Sequence, residues 1–375
     1  MPRPRLSRGS VLVIVMVTLL FTSFAVVLFI EQASTDLLVE AREASARRLR
    51  RDAYSTLEST LATLNDFIQA DGALHSPAEG WGDPLGFSGW QPREGCTAVV
   101  TLEDESGKIS LSHLDSATLT NLFKAWELKQ ADAERLTDAL LGWTRRDYVP
   151  VTSRSPDYEQ GTLPYETPMR PLRSFSELAA IDYAREVFYD EQGRPNDLWR
   201  RFVATFSLYN FAQLNLNAAP PDVLTALGFS DLSQQGRLKD FLTGTGSYVS
   251  QGPQWLSSTS QAAGILGTAA LPRGVGLQVR ALRVNVTVRE GRAEFHLSAV
   301  VAPSGGATIV QTTATSTRSA TSGSTTATTS TSTSGTPAPA PATPPPQLNY
   351  PFTLLEIREN GEIPPSPAPP VVPTS

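Results

Sequence analysis

The chain has 375 residues, of which 40% are hydrophobic and 18% charged, so it can bury enough apolar surface for two modest domains. Its 31 basic and 37 acidic residues give a formal net charge of -6, which argues against a dedicated nucleic-acid binder. The one cysteine, Cys96, excludes an internal disulfide and any multi-cysteine metal site, and three scattered histidines give no basis for histidine-dependent catalysis.

The N-terminus combines a short basic segment with a long apolar run. Arg3, Arg5 and Arg8 precede residues 11–30, which carry no charge. A helix needs about 20 such residues to cross the hydrocarbon core of a bilayer. We therefore expect the basic end to stay in the cytoplasm and the apolar run to lie across the membrane.

A helical pattern continues beyond the apolar run and predicts one helix over residues 11–67, which begins in the membrane and ends packed on a globular domain. A basic stretch at residues 47–51 lies on this helix. We interpret it as a solvated face, with an anionic partner surface as the alternative. The apolar face of the helix is formed by Leu57, Leu61, Leu64 and Ile68.

The N-terminus resembles a class III signal, the substrate of prepilin peptidase. By that resemblance cleavage follows Gly9 and the mature chain begins at Ser10. Pilins and most pseudopilins carry a glutamate at the fifth mature position, where this chain has Ile14. A carboxylate inside the membrane is costly and is kept only with a partner. In pilins it is thought to pair with the N-terminal amine of a neighbouring subunit, so its absence implies a place at the filament tip.

The middle of the chain changes from strand patterns to helix patterns. Residues 96–102 are rich in β-branched side chains and predict a strand, and after a turn residues 108–111 predict the returning strand of a hairpin. Residues 116–128, with Ser116 or Asp115 as the cap, and residues 131–143 then predict two helices.

Five motifs follow one another through this part: Gly107-Lys108, residues 140–143 (Leu-Leu-Gly-Trp), the Tyr- and Pro-containing residues 165–171, residues 174–178 (Ser-Phe-Ser-Glu-Leu) and residues 214–224. Their order is similar to that of the general secretion pathway protein K family, a minor pseudopilin of the type II secretion system. Members of that family also characteristically lack the glutamate that Ile14 replaces. Several ordered matches are far more specific than the leader alone.

The motif at residues 214–224 resembles a helix-hairpin-helix unit, which in other proteins binds DNA backbones through amides at a helix N-terminus. No basic residue lies between Asn210 and Arg237, so we favour a structural role over DNA binding. In that role the asparagines satisfy backbone groups at a helix start and a proline opens the first turn. The residues concerned are Asn215, Asn217, Pro220 or Pro221, and Leu224.

Acidic residues in two loops raise the question of a calcium site, because calcium takes six to eight oxygen ligands and some relatives bind it. Arg145 and Arg146 lie beside the second loop and would repel a divalent cation. We therefore expect solvated acids and no bound metal, with calcium as the alternative. The candidate ligands are Glu103, Asp104, Glu105, Asp147, Asp157 and Glu159.

The C-terminal part predicts an antiparallel hairpin from the alternating residues 277–289 and the strand 293–301. Residues 303–349 are almost all Ser, Thr, Ala, Gly and Pro and predict a disordered linker. Residues 352–358 predict a last strand, and residues 364–375 are a Pro-rich tail.

The resemblance implies an α+β fold in which a long N-terminal transmembrane and amphipathic helix packs on an antiparallel pilin-like sheet. A mainly α-helical domain of helix-hairpin-helix or SAM-like type is inserted in that fold. The implied division is a leader (1–9), a transmembrane helix (10–30), the pilin-like helix and first strands (31–111), the inserted domain (112–270), a β-hairpin (271–302), a linker (303–349), the final strand (350–363) and the tail (364–375).

The implied function is structural: a minor pseudopilin in the bacterial inner membrane, with one span and a periplasmic C-terminal domain, which caps the pseudopilus tip and helps to start its assembly. Its implied partners are the other minor and major pseudopilins, the inner-membrane secretion platform and prepilin peptidase. The alternative is a pilus or competence protein that binds DNA or a surface ligand through its helix-hairpin-helix-like domain. The sequence holds no Gly-x-Ser-x-Gly elbow, His-Glu-x-x-His pair or phosphate loop, so we expect neither enzymatic activity nor a cofactor.

Overall fold

The computed structural model describes residues 8–152, 158, 165–309 and 351–361. Its helices are α1 Arg8–Asp71, α2 Pro84–Ser88, α3 Ser116–Ala125, α4 Gln130–Thr144, α5 Ala184–Phe188, α6 Asp197–Thr205, α7 Pro221–Ala226, α8 Leu232–Thr243 and α9 Thr259–Leu266. Its strands are β1 Cys96–Asp104, β2 Ile109–Ser110, β3 Phe206–Ser207, β4 Tyr209–Asn210, β5 Leu214–Asn215, β6 Val275–Gly276, β7 Leu282–Glu290, β8 Ala293–Pro303, β9 Thr308–Ile309 and β10 Phe352–Glu359.

The long first helix is confirmed. α1 has 64 residues and is therefore about 96 Å long at the rise of an α-helix. No glycine or proline follows Gly9 within it, so nothing in its sequence breaks the backbone hydrogen-bond ladder. Its apolar face also lies as expected, since Leu57, Leu61 and Leu64 are buried and Ile68 is partly buried against the sheet.

α1 packs on a four-stranded antiparallel sheet of order β1-β7-β8-β10. The hairpin of β7 and β8 is confirmed, with Val286 opposite Leu297 and Glu290 opposite Ala293. β10 pairs with β8 and forms one edge of the sheet, which agrees with the last strand expected from the sequence. The side chains that face α1 form the first core, to which the sheet contributes Val284, Val286, Val288, Leu297, Ala299 and Val301.

The predicted pairing of residues 96–102 with residues 108–111 is wrong. β1 instead pairs with β7, Asp104 lying opposite Leu282, and β2 pairs in parallel with β3. The reason is local, because a 3₁₀ turn, Glu105–Gly107, follows β1, and the side chain of Asp104 caps it by accepting from Ser106 N. This turn directs the chain away from the sheet and into the helical part.

The helical part, inserted between β1 and β7, has two cores. Helices α3 to α6 surround the first, where Phe123, Leu136, Leu178 and Phe202 are fully buried. Helices α7 to α9 surround the second, which includes Leu224 and Leu238. The helices expected at residues 116–128 and 131–143 are α3 and α4. Asp115 caps α3, and Ser174 caps a 3₁₀ helix, Phe175–Ala180.

The boundaries after the helical part differ from the expected ones. β7 begins only at Leu282, whereas β6 (Val275–Gly276) pairs with β5 and Leu277 belongs to the second helical core. Residues 303–309, expected to be disordered, form a turn followed by β9, which pairs with β4. Ala307 is buried there and its N–H donates to Arg280 O, so this part of the predicted linker is ordered. Residues 310–350 and 362–375 lie outside the described residues.

The two ends of the sheet have different neighbours. At one end Arg93 joins Asp52 of α1 to Glu290 of β7. At the other end Val279 N donates to Leu74 O, just beyond the end of α1. The helical part leaves the sheet at this second end, so it lies at the end farther from the N-terminal half of α1.

Candidate functional site

The N-terminal half of α1 is the first candidate site. Residues 11–32, which we call the anchor segment, are all exposed, and Ile14 is 61% exposed. Among the described residues, the helix that contains this stretch is the one long and apolar enough to cross a membrane, and its most apolar window of 18 residues has a mean hydropathy of 2.9. Thr18 Oγ1 donates to Ile14 O at 2.8 Å, and Thr22 Oγ1 donates to Leu19 O at 3.0 Å. These two threonine hydroxyl groups therefore donate to backbone carbonyls of the same helix, as a lipid environment favours.

Gly9 and Ser10, the expected cleavage residues, lie in the first turn of α1 as it is described. The segment from residue 11 to Ile30 has no acidic residue, and Glu31 is the first one in the chain. Position 14 therefore carries an exposed apolar side chain, and the role expected for it in assembly stays a prediction.

The basic stretch on α1 is partly used within the chain. Arg50 makes a bidentate contact with Glu359 of β10, with Nη2 to Oε1 at 2.7 Å, and Tyr54 donates to the same carboxylate at 2.6 Å. Arg47 pairs with Glu43 one turn earlier on the exposed helix surface. The stretch is thus neither a purely solvated face nor a continuous anion-binding surface, because Arg50 fastens α1 to the edge strand.

A buried set of charges lies where the helical part meets the sheet. We call it the junction cluster: Glu105, Lys108, Arg283 and Glu103. Glu105 is 2% exposed in its side chain and lies 2.7 Å from Arg283 Nε and 3.3 Å from Lys108 Nζ. Lys108 Nζ also lies 2.7 Å from Glu103. Each buried charge therefore has an opposite charge in direct contact, as burial in low dielectric requires.

The electrostatics of the junction cluster follow from these contacts. Burial disfavours the charged carboxylate of Glu105, but the charges of Lys108 and Arg283 outweigh burial and hold its pKa below the usual value. Burial likewise opposes the charge on Lys108, and the two glutamates raise the pKa of its ammonium in spite of it. The cluster is therefore a set of ionised groups that hold one another in place.

Asp104 connects the same junction to the predicted helix-hairpin-helix motif. Its carboxylate accepts from Ser106 N at 2.8 Å and from Asn215 Nδ2 at 2.6 Å. Asn215 Nδ2 also donates to His75 O at 2.9 Å, so one amide joins the end of β1, the loop after α1 and β5. Burial raises the pKa of Asp104 to about 6, against the effect of these hydrogen bonds. The three segments meet at this carboxylate.

The expected capping role is confirmed for Asn215 and wrong for Asn217. Asn215 Oδ1 accepts from Asn217 N at 3.1 Å and caps a 3₁₀ turn, Leu216–Ala218. Asn217 instead accepts from Leu256 N at 2.7 Å and donates to Leu256 O and to Leu277 O at 2.9 Å. It is buried, so its amide satisfies backbone groups of two segments that are remote in sequence.

The rest of the motif acts as packing. Pro221 is the first residue of α7, as expected, and Leu224 is buried in the second helical core. Arg237, the nearest basic residue after the motif, donates from Nε to Ile265 O and from Nη2 to Leu266 O. Because this guanidinium is engaged within the fold, the motif does not present it to a phosphate backbone.

The calcium candidates that the structure describes are not placed to hold a metal ion, and the expectation of solvated acids is wrong for Glu105, whose side chain is 2% exposed. Glu103 and Glu105 contact cations of the junction cluster, Asp104 accepts hydrogen bonds from Ser106 and Asn215, and Asp147 is exposed in another loop. Asp157 and Glu159 lie outside the described residues. Over residues 8–152 and 165–309 and the other described positions, no group of three or more His, Cys, Asp or Glu side chains is placed to hold a metal ion.

Some of the organising residues were missed in the sequence. Asp138 on α4 accepts from Tyr148 Oη at 2.6 Å, Val151 N at 3.0 Å and Thr152 N at 2.7 Å, and so it shapes the loop in which calcium ligands were sought. Arg283 was also missed. The signal for Asp138 was an acidic residue on the buried face of a helix. The signal for Arg283 was a charged residue at the start of a valine-rich strand.

Three of the five ordered sequence motifs, residues 140–143, 165–171 and 174–178, contribute to the first helical core. Leu140, Trp143 and Leu178 are buried there, and the ring of Tyr165 packs edge-on against Trp143 with centroids 6.0 Å apart. These residues support the inserted helices and carry no reactive group. Their order in the sequence therefore reflects the fold that these residues build.

The comparisons with known proteins agree with this architecture. Residues 95–191 match the family described as "Type II secretion system (T2SS), protein K". Among solved structures, the chain is similar to a chain of the crystal structure of the GspK-GspI-GspJ complex from the enterotoxigenic Escherichia coli Type 2 Secretion System. That match has a TM-score of 0.50 and 14% identity, and covers 70% of this chain and 94% of the other. No curated protein sequence matches the chain.

Proposed function

We propose a capping role for this chain, on the premise that it belongs to the protein K family of type II secretion minor pseudopilins, as the family match and the fold match support. The observation that carries the proposal is the family match of residues 95–191, which run from β1 through α5. The first strand of this segment, β1, belongs to the pilin-like sheet, and the residues after β1 begin the inserted helical part. A minor pseudopilin with such an insertion has a structural role.

Two features favour the tip of the pseudopilus. The first is the anchor segment, where Ile14 leaves no carboxylate to pair with the amine of a subunit above it, and an unpaired acid there would be costly. The second is the helical part, which leaves the sheet at the end farther from the anchor segment. Its bulk at that end would block the addition of another subunit, so the chain would come first and help to start assembly.

The proposed location is the inner membrane, with one span and the sheet and helical part in the periplasm. The arginines at positions 3, 5 and 8 support this orientation, because basic residues next to a span stay on the cytoplasmic side. Prepilin peptidase would cut after Gly9 before assembly. The other pseudopilins would then pack along α1, and the inner-membrane platform would drive the assembly.

This role needs no catalytic group and no cofactor. Calcium remains the alternative cofactor from the sequence, and a chelator tests it directly. Because Glu103 and Glu105 already contact Lys108 and Arg283, we expect the same melting temperature for the purified full chain with calcium and with a chelator. A rise in the melting temperature that saturates with added calcium would contradict this expectation.

The capping role is tested in cells by site-specific photocrosslinking of the full chain in a strain with an otherwise intact secretion system. A crosslinker at Leu37, which is 66% exposed on α1, should capture other pseudopilins. One at Leu232, 81% exposed at the start of α8, should capture no pseudopilin. Capture of the major pseudopilin from both positions would place the chain inside the filament. Normal secretion after deletion of the gene would remove the proposed role altogether.

The alternative role in DNA or surface-ligand binding is not favoured by any contact of the motif. Binding of the full chain to double-stranded DNA at moderate salt, with an affinity that falls as salt rises, would restore that alternative.

A further inference from the structure

A cleft opens between the helical part and the face of the sheet that is turned away from α1. Its volume is about 470 Å³, and it has an aromatic wall and a wall from β10. Phe175, Tyr189 and Trp199 form the aromatic wall, and Glu356 and Arg358 contribute from β10. Neither the anchor segment nor the proposed capping role uses this cleft.

The aromatic wall is held by its own backbone contacts. Tyr189 and Pro195 form an isolated antiparallel bridge, and Gly193 closes the turn between them at φ +74°. Asn196 N then donates to Phe188 O at 3.0 Å and fixes the start of α6, which carries Trp199. The wall is therefore formed before any ligand arrives, which lowers the entropic cost of binding.

The charges around the cleft are largely compensated. Arg358 pairs with Glu356 beside it, and Arg283 at the back of the cleft pairs with Glu105. Arg200 at the rim pairs with Asp197 on the solvent side. The cleft therefore presents aromatic and apolar surface, and the charged side chains around it are ion-paired. An uncharged, extended and stiff segment suits such a surface, and aromatic-lined grooves bind Pro-rich segments in this way.

The last described residues of the chain turn back beside the wall of the cleft that β10 forms. Asn360 follows β10 with φ +47°, and its N–H donates to His296 O at 2.8 Å while its Oδ1 accepts from His296 N. This turn sets Gly361 against Arg358, since a Cβ built on Gly361 would lie 3.7 Å from the Cβ of Arg358. Glu359 points to the opposite side, where it contacts Arg50 of α1. Gly361 therefore lies on the face of the sheet that carries the cleft.

Residues 364–373, which follow at once, read Pro-Pro-Ser-Pro-Ala-Pro-Pro-Val-Val-Pro. As a polyproline II helix, ten residues would extend about 30 Å, at a rise of about 3.1 Å each. We propose that residues 364–373 of the same chain dock in this cleft. Docking joins the helical part to the edge strand of the sheet, in addition to the junction cluster. The tether is only a few residues long, so the segment is present at an effective concentration on the millimolar scale.

Photocrosslinking in the full chain tests the proposal. Ala368 is replaced by p-benzoylphenylalanine, and mass spectrometry locates the adduct after irradiation. We expect an adduct with peptides that contain Phe175, Tyr189 or Trp199. An experiment with mixed ¹⁵N-labelled and unlabelled chains separates contacts within a chain from contacts between chains. Adducts between differently labelled chains, adducts elsewhere, or no adduct would each overturn the proposal.

Two neighbouring alanines supply a matched pair of variants. Ala179 is exposed and lines the cleft, whereas Ala180 is exposed in the same 3₁₀ turn and lies outside it. Ala179→Trp should fill the cleft and abolish most of the adduct, and Ala180→Trp should leave it unchanged at an equal melting temperature. Equal adduct yields in the two variants would overturn the proposal.

A binding measurement covers the case in which the crosslinker itself disturbs the tail. A variant chain that ends at Gly361 is titrated with a synthetic peptide of residues 362–375, and the chemical shifts of the Trp199 indole are followed. Saturable shifts that Ala179→Trp abolishes support docking. An unchanged Trp199 signal, or a response to a peptide of residues 336–346 as strong as to the tail peptide, contradicts it.

Discussion

The junction cluster gives a quantitative test of how the helical part is held on the sheet. Glu105→Gln keeps the shape of the side chain but removes the charge that Lys108 and Arg283 share. Neutralising one partner of a buried ion pair costs roughly 3–5 kcal/mol. Lys108 keeps its 2.7 Å contact with Glu103, and Arg283 keeps Glu356 only at 3.9 Å. We therefore expect a loss near the lower end, about 3 kcal/mol in the free energy of unfolding.

The assay is urea unfolding of the full chain in detergent at pH 7, followed by circular dichroism. Glu43→Gln is the matched control, because Glu43 contacts Arg47 at 2.9 Å but both side chains are more than half exposed. We expect no measurable change in the control, as is usual for surface ion pairs. Adding Arg283→Met to Glu105→Gln should recover part of the loss, because Arg283 is the buried cation that Glu105→Gln leaves without a close partner.

A Glu105→Gln chain as stable as the Glu43→Gln control would refute this reasoning. The helical part would then be held on the sheet by apolar packing and backbone hydrogen bonds, and the buried charges would contribute nothing net. A shift in the midpoint with a changed urea dependence would indicate that the helical part unfolds separately from the sheet.

Three further predictions concern the same region. Gly107→Ala should cost about 1–3 kcal/mol in urea unfolding because its Cβ would meet Ala218 O at 2.5 Å, whereas Gly142→Ala, in open space on α4, should be neutral or stabilising. Asn217→Ala should cost about 3 kcal/mol because it leaves buried backbone groups of two segments without partners, and a loss under about 1 kcal/mol would contradict that. Burial raises the pKa of Asp104 to about 6, above its value in the unfolded chain, so its contribution to stability is complete below about pH 4 and is lost as the pH rises through 6. Asp104→Asn should remove that part of the stability–pH curve, and an unchanged curve would show that Asp104 ionises normally.

Much of the architecture could be predicted because it is encoded locally. The absence of glycine and proline after Gly9 predicts an unbroken α1, and the spacing of Leu57, Leu61 and Leu64 gives the face that packs on the sheet. The alternation of Val284, Val286 and Val288 likewise predicts a strand and the face of it that packs against α1. Periodicity identifies the element and its buried side in each of these cases.

Periodicity does not identify the partner, and the errors follow from that. The sequence predicts that β1 pairs with the segment that follows it. In the structure β1 pairs with β7, and the helical part lies between these two strands in the chain. Asn217 looked like a cap because caps are local, but its partners Leu256 and Leu277 are 39 and 60 residues away. Arg50 looked solvated because Glu359, its partner, lies 309 residues farther along. Such contacts form only in the packed fold, and nothing in a single sequence identifies the two residues of each contact as partners.

The central claim is that this chain is processed and assembled as a pseudopilin, and the mass of its N-terminal peptide tests it most directly. The protein would be purified from its native membrane, digested and analysed by mass spectrometry. We expect the first peptide to begin at Ser10, with a methyl group on its amine. An intact Met1, or a first residue beyond Ile30, would contradict the claim and leave a membrane-anchored or secreted protein that does not enter a pseudopilus.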